Sequence, residues 1–533
     1  MPEHIRNMEA DERSVGTFYD LPWSEVRWQR LEKLYKEWQA RLAAVDFDGL
    51  DQGGRVDYLL LRNEIESSLA QIARDRKRLA QMDSLLKFRS TIHELEQARW
   101  RGDVVDSRAA AGKVAEIAKL AKEAKPKKED VAPALALRAA GAVIELRATL
   151  KRWFEFYHGF QPDFSWWVKT PFGEADKALE EYAKLLREEI AGQKGKDEDP
   201  LVGEPVGAEA LAEQIRFEWL PYSAEELIGV SERELTWCEA EMRKASRAMG
   251  CGDDWKAALA KVKSDFVPPG EQDELVAKTA REAIEFTRRH KFATVPALCE
   301  ETWRMTMMSP ETIKTIPYAA YGGQQMMVAY ANAEMKQEDK LMVMRGNNRA
   351  FTHLTVMHEL IPGHHLQAFQ AARHAQYRHG FNTPFYFEGW ALYCELRLWE
   401  LGWARTPQER IGMLFWRMTR AARVIVTLKF HLGKMKPEEM VTFFVERVGH
   451  EKLGATSEIR RFINHAPPLY QAGYLLGGKQ LRALHDEVDL PEQQFNDAVL
   501  THGTMPIELL RAELRQLPLT RDAKPSWRFA DGK

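Results

Sequence analysis

No stretch of this 533-residue chain approaches the ~20 consecutive apolar residues that a membrane-spanning helix requires. The opening MPEHIRNMEADERS lacks the basic-then-apolar layout of a secretory signal. As written, the chain reads as cytoplasmic; it would read as exported, periplasmic or secreted, had a signal peptide been removed. Cysteine is scarce. Cys238, Cys251, Cys299 and Cys394 are scattered with no CxxC pair, which argues against a cysteine zinc site and against a disulfide framework. An excess of either charge is lacking too. With 76 basic and 79 acidic residues the formal charge is −3, so there is no electrostatic basis for binding nucleic acid or an anionic membrane. No G-x-S-x-G elbow supports a serine hydrolase. Gly473 to Lys479 fits the start of a phosphate-binding loop, but Gln480 stands where Ser or Thr should hold magnesium, and no apolar strand precedes it. Nucleotide binding is excluded there.

What the chain has in abundance is helical periodicity. Tyr58, Leu61, Ile65, Leu69 and Ile72 repeat at steps of three and four, one face of an amphipathic helix. Ser223 followed by Glu226 has capping-box spacing and opens a helix toward Met249. The aromatic cluster Trp153, Phe154, Phe156, Tyr157, Phe164, Trp166 and Trp167 reads as core more than cleft. Gly192–Gly207, rich in Gly, Pro, Lys and Asp, is the best boundary. It divides a helical lobe, residues 1–200, from a second lobe, residues 201–533, which is itself broken from His465 to Leu469. Strand character is confined to Gln325–Tyr330 and Lys340–Arg345, short Met- and Val-rich runs between Gly323 and Gly346-Asn347-Asn348. The expected fold is mainly α with a small sheet.

Immediately after that sheet comes Phe351–Gln367, FTHLTVMHELIPGHHLQ, with His353, His358, His364 and His365 around Glu359. A histidine directly followed by glutamate on an apolar helix presents a metal ligand beside a general base. Two imidazoles share one zinc when they lie one turn, four residues, apart, and here the fourth position is Pro362. Pro362 lacks the N–H for the His358 carbonyl, so the helix must deform, and Gly363 supplies torsional freedom to loop residues out. Taking a two-residue detour out of the six between His358 and His364 restores the four-residue turn. The same operation on His365 leaves five and turns its ring away. His364 is thus the second ligand, and His365 a neighbour that shapes the pocket or bonds substrate.

FYFEGWALYCE (Phe385–Glu395), whose Glu388 lies 30 residues after His358, begins another apolar helix. A glutamate among such neighbours is costly to bury unpaired. Glu388 as third zinc ligand removes that cost, and Glu395, two turns on along the same face, is placed to accept a hydrogen bond from a ligating histidine.

HELIPGHHLQ followed by FEGWALYCE resembles the bacterial DUF885 family, whose members carry an HExxPGH motif and a downstream EGWA motif. The likeness runs from about Tyr58 through WLPYSAEELI (Trp219–Ile228) to FNDAVLTHGTMPIELL (Phe495–Leu510). It departs at Asn496, where a histidine is common in the family. That family is grouped with zincin metallopeptidases of the kind whose third ligand is glutamate. The resemblance therefore implies a zincin-like helical fold and one zinc per chain on His358, His364 and Glu388, with Glu359 as catalytic acid/base. It also places a tyrosine-bearing segment after the catalytic helices, which makes Tyr474 the candidate oxyanion donor; a buried core tyrosine is the alternative. Arg461 and His502 are further candidates for holding substrate. The expected activity is zinc-dependent hydrolysis of short peptides, the partner being the peptide itself. A zinc amidohydrolase acting on another amide or ester, or a non-catalytic helical binding protein, are the alternatives. Oligomeric state is not legible.

Overall fold

Helix caps explain much of the local structure. The Ser223 hydroxyl accepts from the Glu226 N–H, and the Glu226 carboxylate accepts from the Ser223 N–H at 2.7 Å, opening the helix Ala224–Ala248 as its sequence requires. A second capping box, Thr406 with Glu409, opens Pro407–His431, against which Ala224–Ala248 packs. Pro407–His431 is buried on nearly every face from Ile411 onward, the signature of a central helix.

The computed structural model describes residues 1–196, 199–313, 316–464 and 467–531; the break expected at His465 begins outside them. The chain forms two compact units. One comprises Arg6–Val45 and Glu64–Glu204, and the other Met1–Ile5, Asp46–Asn63 and Pro205–Lys533. Where the sequence offers one boundary in Gly192–Gly207, the chain passes between units four times, the last at Glu204 within that stretch. The early segment 46–63 belongs with the C-terminal residues for a specific reason. Asp57 accepts from Arg378 at 2.7 Å, and the Gln52 amide donates to the Ala512 carbonyl at 2.9 Å.

The first unit is helical. Ser107–Glu123 and Pro133–Tyr157 pack on Pro162–Lys184, with Ala110, Ala118, Ala139, Ala175 and Ala178 buried between them. Trp153, Phe154, Tyr157 and Phe164 form core as read, whereas Trp166 is 81% exposed.

The second unit carries the sheet: β1 (Met305–Met307), β2 (Ala319–Gly322) and β3 (Gln325–Val328), in the order β1-β3-β2. β1 runs parallel to β3 and β2 antiparallel to it, with Ala320 opposite Met327. Lys340–Arg345, read as a strand, is instead part of the helix Gln337–Gly346. A short apolar run does not distinguish strand from buried helix. Glu338 and Asp339 in the first turn favour the helix through its dipole, and Val343 and Met344 supply its buried face.

Six helices frame the cleft beside the sheet. They are α1 (Arg349–Glu359), α2 (His364–Ala371), α3 (Pro384–Glu400), α4 (Pro407–His431), α5 (Lys452–Asn464) and α6 (Tyr470–Glu487). Met326 and Val328 of β3 pack against Val356 and Leu360, so the sheet lies directly on the histidine helix.

Candidate metal centre

α1 begins where the Asn348 side chain accepts the Phe351 N–H at 3.0 Å, and every side chain from Ala350 to Glu359 is buried. The helix stops at Glu359. Gly363 then donates its N–H to the Met357 carbonyl at 3.0 Å, a bond spanning six residues instead of the four of an α-helix. That bond closes around the two-residue detour. The glycine is needed for its torsional freedom, at φ −74° and ψ −132°, and also for space, since a Cβ there would lie 1.8 Å from the His358 carbonyl oxygen. The turn is held from α3, where the Trp390 indole N–H donates to the Pro362 carbonyl at 3.0 Å.

The detour brings the rings of His358 and His364 together, centroids 4.9 Å apart and nearly perpendicular. Nε2 of His358 lies 3.8 Å and Nε2 of His364 3.2 Å from the same Glu388 oxygen, Oε2. Their Nδ1 atoms are engaged elsewhere: His358 with Glu395 Oε1 at 2.7 Å, His364 with Gln367 Oε1 at 3.4 Å. Since both partners are acceptors, each Nδ1 carries a proton, and each Nε2, which faces Glu388, is the nitrogen left to bind a cation. Donor atoms at the corners of a tetrahedron with bonds of ~2.0–2.1 Å stand about 3.3 Å apart. The donor set fits a divalent cation. Glu359 also offers an oxygen within 4.8 Å of both imidazoles, but Glu388 is the carboxylate in contact with them, which leaves Glu359 beside the set.

The electrostatics agree with that division. Burial disfavours the imidazolium of His358, yet Glu359, Glu388 and Glu395 outweigh it and raise its pKa to about 9. Negative charge that holds a proton so firmly is equally suited to a cation. Glu388 is also desolvated, but the two histidines hold it well below the usual carboxylate range. Burial raises Glu359, with His358 and His364 opposing.

Tyr470, which the sequence reading did not single out, donates its hydroxyl to Glu388 Oε1 at 2.5 Å. Its signal was available, since it lies one turn before Tyr474 on the same helix face. Tyr474 stands in the wall of the cavity, its ring parallel to that of His358 at 6.3 Å and flanked by Arg420 and Arg423. The cavity, of about 200 Å³, is also walled by Ile316–Tyr321, Glu458 and Arg461. Glu395 reaches Arg420 at 3.2 Å besides His358.

Other expected residues stand apart. His365 donates from Nε2 to the Cys299 carbonyl at 3.0 Å and accepts the Tyr321 hydroxyl at Nδ1, 3.3 Å, facing a neighbouring hollow. His353 stacks on Trp403 at 4.2 Å, and burial lowers its pKa to about 4. His502 is not among the residues that wall this cavity. At the end of its helix the ring folds back, donating from Nδ1 to Ala498 at 2.7 Å.

Gly477, within the rejected phosphate-loop stretch, and Gly389 of α3 have a packing role. A Cβ on Gly477 would lie 2.0 Å from the Phe385 carbonyl oxygen, and one on Gly389 2.8 Å from the Gly477 Cα. Only hydrogen on these carbons lets α6 approach α3 closely enough for Tyr470 to reach Glu388. Gly477→Ala is therefore expected to destabilise the protein at the upper end of overpacking costs, about 3 kcal/mol. Chemical unfolding checks this, and an unchanged midpoint would mean that the two helices separate freely.

Among curated proteins none matches the chain. A candidate lipoprotein of unknown function from Shewanella oneidensis has a similar structure, with 17% identity and a TM-score of 0.67 over 95% of this chain and 98% of the other. A candidate lipoprotein from Colwellia psychrerythraea is similar at 16% identity and a TM-score of 0.62, over 96% and 97% respectively. At such identities the likeness is one of fold. The family described as bacterial protein of unknown function, DUF885, matches residues 16–514, and the chain belongs to that family.

Proposed function

We propose that the protein is a zinc-dependent metallopeptidase of the zincin type that hydrolyses short peptides. The observation carrying this reading is the convergence of His358 Nε2 and His364 Nε2 on Glu388 Oε2, at 3.8 and 3.2 Å, with Glu359 offering an oxygen within 4.8 Å of both imidazoles. These three residues would hold one zinc ion per chain, which lowers the pKa of water toward ~7 and polarises a carbonyl. Glu359 takes the proton of the attacking water and delivers it to the leaving amine; its raised pKa suits a group that must hold that proton briefly. Glu395 fixes the tautomer of His358, and Arg420 neutralises Glu395. The Tyr474 hydroxyl is the donor for the developing oxyanion, since that of Tyr470 is committed to Glu388.

An amide or ester hydrolase of another kind would use the same residues. The peptide reading is favoured by β2, an edge strand whose Ala319, Ala320 and Tyr321 line the cavity and whose free side suits an extended backbone. The small cavity favours short substrates over folded ones.

The test is metal analysis with an assay on mixed tri- to hexapeptides. About one zinc per chain is expected, with turnover abolished by a chelator and restored by zinc. Folded proteins should be poor substrates. Protein that takes up no metal even with zinc supplied would sink the proposal.

A further inference from the structure

We infer that Arg461 receives the C-terminal carboxylate of the substrate, so that the cavity is that of a carboxypeptidase. The inference rests on the peptidase reading above and specifies its substrate.

The charges of the site come first. Glu359, Glu388, Glu395 and Glu458 stand against Arg420, Arg423 and Arg461, a balance of −1 that a divalent cation turns to +1. The positive surplus has a definite place. Arg423 directs Nε and Nη2 at Glu458 Oε2, at 3.1 and 2.7 Å, and Arg461 directs Nη2 at Glu458 Oε1, also at 3.1 Å. One carboxylate between two guanidiniums leaves a full positive charge on the pair. Arg423 is 5% exposed and Arg461 23%, so Arg461 is the member open to the cavity. Its Nε–H is buried without a hydrogen-bond partner among the described residues. A guanidinium has five N–H donors, and the one acceptor this one meets among the described residues, Glu458, is shared.

The acids point the same way. Glu388 is engaged by His358, His364 and Tyr470, Glu395 by His358 and Arg420, and Glu458 by two arginines. Glu359 is reserved for the proton. A substrate's N-terminal ammonium thus finds no uncommitted carboxylate among the described residues of this wall, whereas a carboxylate finds a guanidinium with donors to spare. Size adds to this. A hollow of about 200 Å³ is smaller than the ~300–1,000 Å³ that encloses a drug-sized ligand, and fits a chain end.

Binding tests this without turnover. The zinc-loaded Glu359→Gln protein is titrated calorimetrically with N-acetyl-Ala-Phe-Leu as free acid and as C-terminal amide. A charge-assisted hydrogen bond predicts the acid to bind on the order of 10- to 100-fold more tightly. Adding Arg461→Gln should bring the acid to the level of the amide, whereas Arg461→Lys, a point charge without the planar fork, should keep part of the preference. Equal binding of acid and amide to Glu359→Gln, or no binding of the acid, would overturn the inference. So would a preference that survives Arg461→Gln. The two readings fail separately. Cleavage of acid and amide at equal rates by the native protein would leave the peptidase standing without its carboxylate site. An Arg461-dependent preference with no hydrolysis of any peptide would do the reverse.

Discussion

Replacing Glu359 by glutamine is expected to leave the protein folded, metal-loaded and nearly inert, with turnover of short peptides reduced roughly 10²–10⁴-fold. The magnitude follows from what is removed. Glutamine keeps the shape of the side chain in a wholly buried position next to His358 and His364, but it cannot take a proton from water. The metal should remain because the carboxylate touching both imidazole nitrogens is that of Glu388. Burial raises the pKa of Glu359, with His358 and His364 opposing it. Turnover and zinc content measured on one preparation decide the matter. A loss of activity under ~10-fold would assign the proton transfer to another group. Loss of the metal would make Glu359 a ligand.

The second large effect separates two adjacent histidines. His364→Ala is expected to lose the metal, and His365→Ala to keep it. Removing a residue that merely supports a ligand typically costs 10–100-fold in metal affinity, so deleting a ligand should cost more than ~10²-fold. His365 has no such part, since its two nitrogens are occupied by the Cys299 carbonyl and the Tyr321 hydroxyl. Its replacement leaves that buried carbonyl without a donor, a stability cost of about 1–3 kcal/mol. Equilibrium dialysis against zinc, with unfolding curves for both variants, distinguishes the cases. Retention of zinc by His364→Ala and its loss from His365→Ala would reverse the assignment.

Several elements of the site were legible because they depend on short stretches of chain. The detour between His358 and His364 is dictated by one missing N–H at Pro362, and it appears as the six-residue bond from Gly363 to Met357. Glu395 was placed next to a histidine by counting turns from Glu388, and it does bond His358. The capping box at Ser223 lies within four residues. Local patterns misled where they were degenerate. The run Lys340–Arg345 fits a strand or a buried helix equally, and the acids Glu338 and Asp339 just before it tip it to helix. His502 was polar and near the end of the chain, but nothing in its neighbours tells that its ring turns back onto its own helix.

The sequence by itself determined the helical character of the chain, the cap at Ser223, one strand of the small sheet and which residues are chemically able to ligate a metal, because spacing along a helix and the hydrogen-bonding capacity of each residue are local properties. Only the tertiary structure decided how those residues meet. Glu388 lies 24 residues from His364 and 82 from Tyr470, yet one carboxylate touches both. That contact depends on α3 and α6 packing at glycine distance, with Gly389 against Gly477. The sharing of Glu458 by Arg423 and Arg461, which leaves the positive charge in the cavity, likewise depends on Arg423 of α4 reaching Glu458 of α5, 35 residues further along the chain. The physical reason is that a helix's own sequence says which of its faces is apolar but not which other face will cover it. That is settled by the summed burial and close packing of the unit, to which no short window of sequence has access.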